Sequence, residues 1–420
     1  MEQAADAGVK SEPAAVTPGE EVSLEELLTY ADEHSPALAV ARSTRSRAEA
    51  ARIGAAILLP DNPEVSLGVG PRLGLGGQGI DVQASVMQPI QIAGERGLRL
   101  NAAEKLSELT DAEIERERWS VHSDVHAMFH RAGVERERLR LTERVVAFQE
   151  EVLRAVERQI AAGETAALTL RLARAEAAQA RQTRVAAQQA FLASRIALAQ
   201  LSGWAAATPP LPSGKIDAPR EPPPLEELIK LASERLPSLR AAASRVREAE
   251  ARAELADREG WPRPSIGLQY NREGNPTSEG VYDSILGVVS VQLPTFQRNQ
   301  AERARAHADV SVAAAELAAL QKLLEGQVAQ ARNEMVAAAK RTEAYGTEIL
   351  PQFEENLTLL RRSFELGEID LLALSTGRER FLRIQSDALA AQVDYFTALA
   401  GLERVVGVEL WRDDHHEENP

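Results

Sequence analysis

The chain contains itself twice. LEELL at 24–28 recurs as LEELI at 225–229, Pro36 and Pro63 recur as Pro237 and Pro264, and Val65 and Leu67 recur as Ile266 and Leu268. Further on, Pro89 corresponds to Pro294, and Gly163-Glu164 to Gly367-Glu368. Each half therefore has one order of parts: helix, Pro-bounded strand, turn, strand, very long helix, Gly turn, helix. A duplicated unit of this size predicts two halves that pack alike. The expected organisation is a flexible leader at 1–21, a first repeat at 22–206, a Pro-rich linker at 207–223, a second repeat at 224–408 and a charged tail at 409–420.

Proline placement sets the helix lengths. From Ile90 to Thr208 there is no proline, and after Pro294 only Pro351 and Pro420 occur. Two long helices are allowed, at 95–162 and 297–366, each on the order of 100 Å at about 1.5 Å per residue. Shorter helices are expected at 23–58, 166–203, 224–259 and 374–406. Two short ones end to end match one long one, so each long helix is expected beside such a stacked pair. The Pro-rich segment 204–223 would form a belt where the short helices meet. Pro351 should bend the second long helix or loosen one of its turns.

Only 4% of the 420 residues are aromatic, and Ala, Glu, Arg, Leu and Gln dominate long stretches. That is the composition of extended helices in coiled-coil packing. The net charge of -15 argues against a nucleic-acid binder, which would present a basic surface. Basic residues alternate with Glu at helical spacing, as in ERERWS (115–120) and ERERLR (135–140), the pattern of a salt-bridged, solvated face. There is no cysteine, which excludes disulfides and thiolate metal sites in this chain. No apolar run approaches the roughly 20 residues of a transmembrane helix. The first twenty residues have no apolar core of a signal peptide, so export implies a mature form.

The segments between helices read as strands. In 63–70 Val65, Leu67 and Val69 alternate with Ser66, Gly68 and Gly70; in 80–88 Ile80, Val82, Ala84 and Val86 alternate with Asp81, Gln83, Ser85 and Met87. Segments 264–270 and 281–293 alternate less regularly. Gly-rich turns, LGLGGQG (73–79) and NREGNPTSEG (271–280), join each pair. Period-two alternation fits a sheet packed on a core, or a transmembrane barrel with apolar residues toward lipid. Four strands tethered to such long helices have no globular core to cover. Four also cannot close a barrel, since the smallest have about eight. Closure then needs other copies; a dimer supplies eight strands and a trimer twelve, and both remain open.

The chain resembles the TolC-like outer-membrane efflux channel family over about 22–408, and within it the heavy-metal branch of CzcC- and CusC-like channels. QPIQIAGERGLR (88–99) is similar to that branch's strand-exit pattern, and EILPQFEENLTLLRRSFELGEIDLLAL (348–374) to its Leu-Pro and Gly-centred helical hairpin. The resemblance implies a mainly α fold with a β-barrel portion: a long α-helical coiled-coil barrel continued by a transmembrane β-barrel. That barrel would have four strands per protomer, twelve in a homotrimer. It implies a location in the outer membrane extending into the periplasm, among outer-membrane lipid. It also implies a periplasmic adaptor, an inner-membrane transporter of the RND type, and heavy-metal cations as cargo. Two alternatives are a channel for drugs or small organic molecules, and a water-soluble coiled-coil scaffold. The chain departs from some relatives in lacking a lipidated Cys. Its strand aromatics are also few, with only Tyr270 and Tyr282 near strand ends.

The helix–helix turns AAGETAAL (161–168) and ELGEIDLL (365–372) are Gly-centred, as helix C-termini often are. The resemblance makes them periplasmic tips that meet the adaptor, with Gly163, Glu164, Gly367 and Glu368 at the docking positions. Some members carry constricting aspartates where this chain has Ala373 and Thr376, so Asp370 is the candidate lumen gate. In a trimer it would form an acidic ring favouring cations.

His122, His126 and His130 lie one helical turn apart, near Asp124. Histidine is the commonest transition-metal ligand, yet a helix supplies this spacing without a metal, and structural roles are the expectation. Trp204 is expected to anchor its helix at the belt. No enzyme signature is present: LGLGGQG lacks the Lys-Ser/Thr of a phosphate loop, and no cofactor is expected.

Overall fold

A computed structural model describes residues 21–74, 77–162, 167–214, 218–274, 282–366 and 368–411. The leader up to residue 20, the tip residues Gly163, Glu164 and Gly367, and the tail from 412, with His415 and His416, lie outside the described residues.

The elements follow the expected order. They are β1 (Glu21–Val22), α1 (Leu24–His34), α2 (Pro36–Ser43), α3 (Arg45–Ala56), β2 (Glu64–Gly74), β3 (Gly77–Pro89), α4 (Glu95–Ala161), α5 (Ala167–Ser202) and β4 (Leu211–Pro212), then α6 (Leu225–Arg235), α7 (Pro237–Glu259), β5 (Pro264–Glu273), β6 (Tyr282–Val291), α8 (Gln300–Ala344), a π-helical turn (Tyr345–Ile349), α9 (Leu350–Glu365) and α10 (Leu371–Val406). The fold is mainly helical with a small sheet portion.

The first short helix of each repeat is broken where one continuous helix was expected. Ser35 and Leu236 have extended ψ values of 128° and 116°. Each precedes a proline, whose ring excludes the helical conformation from the residue before it. Ser23 starts α1 with a capping box: its hydroxyl accepts from Glu26 N–H, and the Glu26 carboxylate accepts from Ser23 N–H at 2.8 Å. The repeats bury matching positions, Leu27 and Ala31 in one and Leu228 and Ala232 in the other.

The second long helix is interrupted at Pro351, as expected. Its ring nitrogen cannot donate, so the preceding turn widens to the π form, in which Leu350 N–H reaches back to Tyr345 O.

The chain divides into two compact units. One comprises residues up to Val40, Glu117–Leu236 and Leu323 onward; the other comprises Ala41–Arg116 and Pro237–Lys322. In the first, Leu27, Leu38, Val125, Phe129 and Leu198 form a buried core against which Trp204 packs. The indole donates to Thr208 O at 2.9 Å, so Trp204 does anchor α5 to the Pro-rich segment. The described residues of that segment are non-helical, and its carbonyls accept from arginines. Arg136 reaches Pro212 O at 2.9 Å, Arg195 reaches Pro210 O at 2.9 Å, and Arg332 reaches Pro223 O at 2.8 Å. Prolines offer carbonyls without N–H groups, and guanidinium supplies the missing donors.

In the second unit, four antiparallel strands pair in the order β2-β3-β5-β6. They run further than the alternation suggested. Arg72 and Leu73 continue β2, with Leu73 opposite Gln78 and Gly74 opposite Gly77, and β5 runs on to Glu273. Gly74, Gly77 and Gly79, read as turn residues, instead extend the ladder, since glycine adopts extended geometry without steric cost.

Candidate functional site

The sheet sorts most of its residues by face, with Arg272 and Asp283, a charged pair at the turn-side end, standing on the otherwise apolar one. Val65, Leu67, Val69, Ile80, Val82, Val86, Ile266, Leu268, Ile285, Val289 and Val291 share one face by register. All but the half-buried Val82 are open: Leu67 is 73% exposed, Ile285 74% and Val289 70%. The opposite face carries Ser66, Gln83, Ser85, Gln269, Asn271, Ser284 and Ser290. It is cross-linked by polar contacts, with Ser66 and Ser85 hydroxyls 2.7 Å apart and Gln269 donating to Asn271 at 2.8 Å. Leu286 and Val288 in β6 fall on this polar face, which explains the irregular alternation there. The outer strands β2 and β6 each have one unpaired edge.

At the turn-side end of the polar face, Arg72 bridges two other strands. Its Nε lies 3.0 Å from the Asp81 carboxylate of β3, and its Nη2 lies 3.0 Å from Glu273 of β5. Asp81 also accepts from Gly274 N–H at 3.0 Å. Sequence reading ended the strand at residue 70 and began the turn at 73, so Arg72 fell between them and this cluster was missed. Continuing the period-two alternation by two residues would have put it on the polar face.

At the helix-side end, the motif QPIQIAGERGLR makes the chain's exit from the sheet. Gly94 takes φ +79°, a left-handed conformation that favours glycine. The buried Glu95 accepts from Ala93 N–H at 2.9 Å, and Arg99 donates to Gln91 at 2.6 Å and to Ile57 O at 3.1 Å. Trp261 and Phe296, which flank β5 and β6 on this side, are 52% and 88% exposed. They are exposed aromatics beside the strand ends that sequence reading had not counted with Tyr270 and Tyr282.

At the second Gly-centred helix–helix turn, Asp370 has a definite job. It is the N-cap of α10, and its carboxylate accepts from Ala373 N–H at 2.8 Å. Glu368 is exposed and accepts from the Ser363 hydroxyl at 3.0 Å. Between this turn and the middle of the unit, α4, α9 and α10 enclose an apolar cleft of about 270 Å³. There Arg378 lies over the Phe148 ring, 3.0 Å from its centroid. Burial, with Arg361 nearby, lowers the Arg378 pKa to about 10.

The three histidines of α4 are not brought together around a metal position. Among the described residues no group of three or more His, Asp or Glu side chains converges on one. They form a ladder along the face of α4 that meets α10. Trp119 stacks on His122, and His130 lies flat on Phe396 with centroids 4.0 Å apart. His122 Nε2 is 2.6 Å from Glu409, while His126 is 3.7 Å from Glu403, too far for a hydrogen bond. Burial and the neighbouring His122 lower the His126 pKa to about 4, and burial and His126 lower that of His130 to about 3. Burial raises Glu403 to about 7, against the Leu410 N–H bond that favours its charge.

A family model for outer membrane efflux proteins matches residues 27–204 and 228–408. The chain belongs to the outer membrane efflux protein family. Membership makes it an outer-membrane channel component and not an enzyme. The cobalt-zinc-cadmium resistance protein CzcC of Cupriavidus metallidurans is 24% identical over 322 residues, covering 76% of this chain and 75% of that one. Among solved structures, CusC has a TM-score of 0.72 at 15% identity, covering 96% of both chains. The outer membrane protein VceC of Vibrio cholerae has a TM-score of 0.70 at 16% identity, covering 92% of this chain and 97% of its own. These likenesses give the efflux protein its fold, a helical barrel continued by a β-barrel.

Proposed function

We propose that this efflux protein works as a homotrimer whose three sheets close into a twelve-stranded barrel in the outer membrane. Its helices continue the barrel as a periplasmic exit duct. The observation that carries the proposal is the two-faced sheet with two unpaired edges. An exposed apolar face suits lipid, a polar face suits a water-filled lumen, and open edges demand further strands. The repeats at 22–206 and 224–408 are its two structural halves, joined by the linker at 207–223.

The cargo in this reading is a heavy-metal cation, supported by similarity to a cobalt-zinc-cadmium resistance protein. The duct is passive. An inner-membrane RND transporter supplies the energy, and a periplasmic adaptor docks at the tips formed around Gly163, Glu164, Gly367 and Glu368. Asp370, one from each chain, rings the closed end.

Native mass in detergent and in plain buffer tests the assembly. A detergent-dependent species near three times 45.6 kDa supports it. A monodisperse monomer or dimer in plain buffer returns the chain to a soluble scaffold. Deleting the gene in its host tests the cargo: sensitivity to zinc, cobalt or cadmium should rise, whereas sensitivity to organic drugs alone would reassign it.

A further inference from the structure

The polar face of the sheet is charged only at its two ends among the described residues. Glu64 stands at the helix side; Arg72, Asp81 and Glu273 stand at the turn side. Between them the wall is neutral. Arg72 is the sole cation on this face among the described strand residues, and it touches two carboxylates on two other strands. Two carboxylates held within reach of one guanidinium are close enough to share a hard divalent cation, which prefers oxygen ligands and carboxylate charge. The guanidinium occupies that position permanently, because it stays protonated at any physiological pH.

We propose that Arg72 is a resident countercation: it fills the divalent-cation site that Asp81 and Glu273 would otherwise form at the outer mouth. Cationic cargo then leaves without being held there. The inference rests on the channel reading above, which puts the polar face in the lumen and the turns at the exit. Two carboxylates to one guanidinium leave the mouth mildly acidic, so cations are still favoured over anions while no tight site forms. Close backbone approach fixes the arrangement. A Cβ on Gly79 would fall 2.2 Å from Gly274 O, so β3 and β5 meet here with no room for a side chain between them.

Terbium, a luminescent stand-in for hard divalent cations, tests the site directly. Tyr282 pairs in register with Glu273 on the same face and is 60% exposed, so it can sensitise a bound ion. In purified detergent-solubilised protein, Arg72→Gln should bind terbium at least about ten-fold more tightly than wild type, with emission excited through tyrosine. Arg72→Lys, which keeps the charge, should behave as wild type. Adding Tyr282→Phe to Arg72→Gln should remove the new emission. Equal terbium binding by Arg72→Gln and wild type overturns the proposal, as does emission that survives Tyr282→Phe.

If Arg72→Gln does not assemble, Glu273→Gln supplies the second arm. It makes the mouth neutral, and the potassium-to-chloride permeability ratio in a planar bilayer at low salt should fall; an unchanged ratio overturns the proposal. Wild-type protein that forms no pore would instead sink the channel reading, while the terbium comparison still judges the Arg72 cluster.

Discussion

His130 lies parallel to Phe396, the two rings 4.0 Å apart and inclined by 2°. The contact ties α4 to α10 and accounts for the histidine as a packing residue that stays neutral.

It follows that the ladder makes stability depend on pH in two opposite senses. His126 and His130 have folded pKa values of about 4 and about 3, below the ordinary 6.5. The unfolded chain therefore takes up protons that the folded chain refuses. Their contribution is complete above pH 6.5 and is lost as pH falls toward 4 and 3. Glu403 runs the other way. Its folded pKa is about 7 against 4.5 unfolded, so its contribution is present below 4.5 and lost as pH rises through 7. Glu403→Gln should leave stability near wild type in acid and raise it relative to wild type at pH 8. Urea unfolding at several pH values reads the difference, and a pH-independent offset would contradict the assignment.

A charge on the apolar face of the sheet should block membrane assembly, and the same charge on the polar face should not. Leu67→Lys places an ammonium among exposed apolar residues, at a cost of about 2–4 kcal/mol near the bilayer midplane. Gln83→Lys, one strand away on the polar face, should be tolerated. Recovery of assembled protein from outer-membrane fractions separates the two. Equal yields would mean that the apolar face does not meet lipid.

Asp370 has two roles that substitution can separate. Asp370→Ala removes the cap on α10 and should cost about 1 kcal/mol of stability, whereas Asp370→Asn keeps a capping oxygen and removes only the charge. If Asp370 lines the lumen, both variants should lower cation preference in bilayer recordings, and only the alanine should lower the melting temperature. Unchanged cation preference in both leaves it as a cap alone.

Pro351 maintains the π turn at Tyr345–Ile349. Pro351→Ala restores a backbone donor and removes the ring clash, so the turn should relax to α geometry. Hydrogen exchange at amides 346–350 should slow by about ten-fold or more, matching a recovered hydrogen bond of roughly 1 kcal/mol or above. Exchange no slower than in wild type would mean that packing, and not proline, sets the π form.

Much of the architecture was legible because it depends on local rules. The duplication, the proline-free stretches and the alternation at 63–70 and 80–88 report backbone constraints and face periodicity, which act over a few residues. Strand ends were less legible. Arg72 lies between the expected strand end at 70 and the glycine-rich turn at 73–79, and only the partner strand, with Leu73 paired to Gln78, shows that the ladder runs through it. The helix breaks at Ser35 and Leu236 were available from the prolines that follow them, but helical composition on both sides concealed them. Arg378 on Phe148 was not visible at all, since more than 200 positions of chain separate its members.

By itself the sequence determined which segments are helix and which are strand, that the halves repeat, and that one sheet face is apolar. Those properties follow from side-chain periodicity, proline chemistry and residue order. Tertiary structure alone decided which distant side chains meet. It brought Arg72 to Asp81 and Glu273 and laid His130 on Phe396. Such contacts depend on register between separate strands and rotation between separate helices. A one-residue slip in either would send each of those side chains elsewhere, which is why no local pattern encodes them.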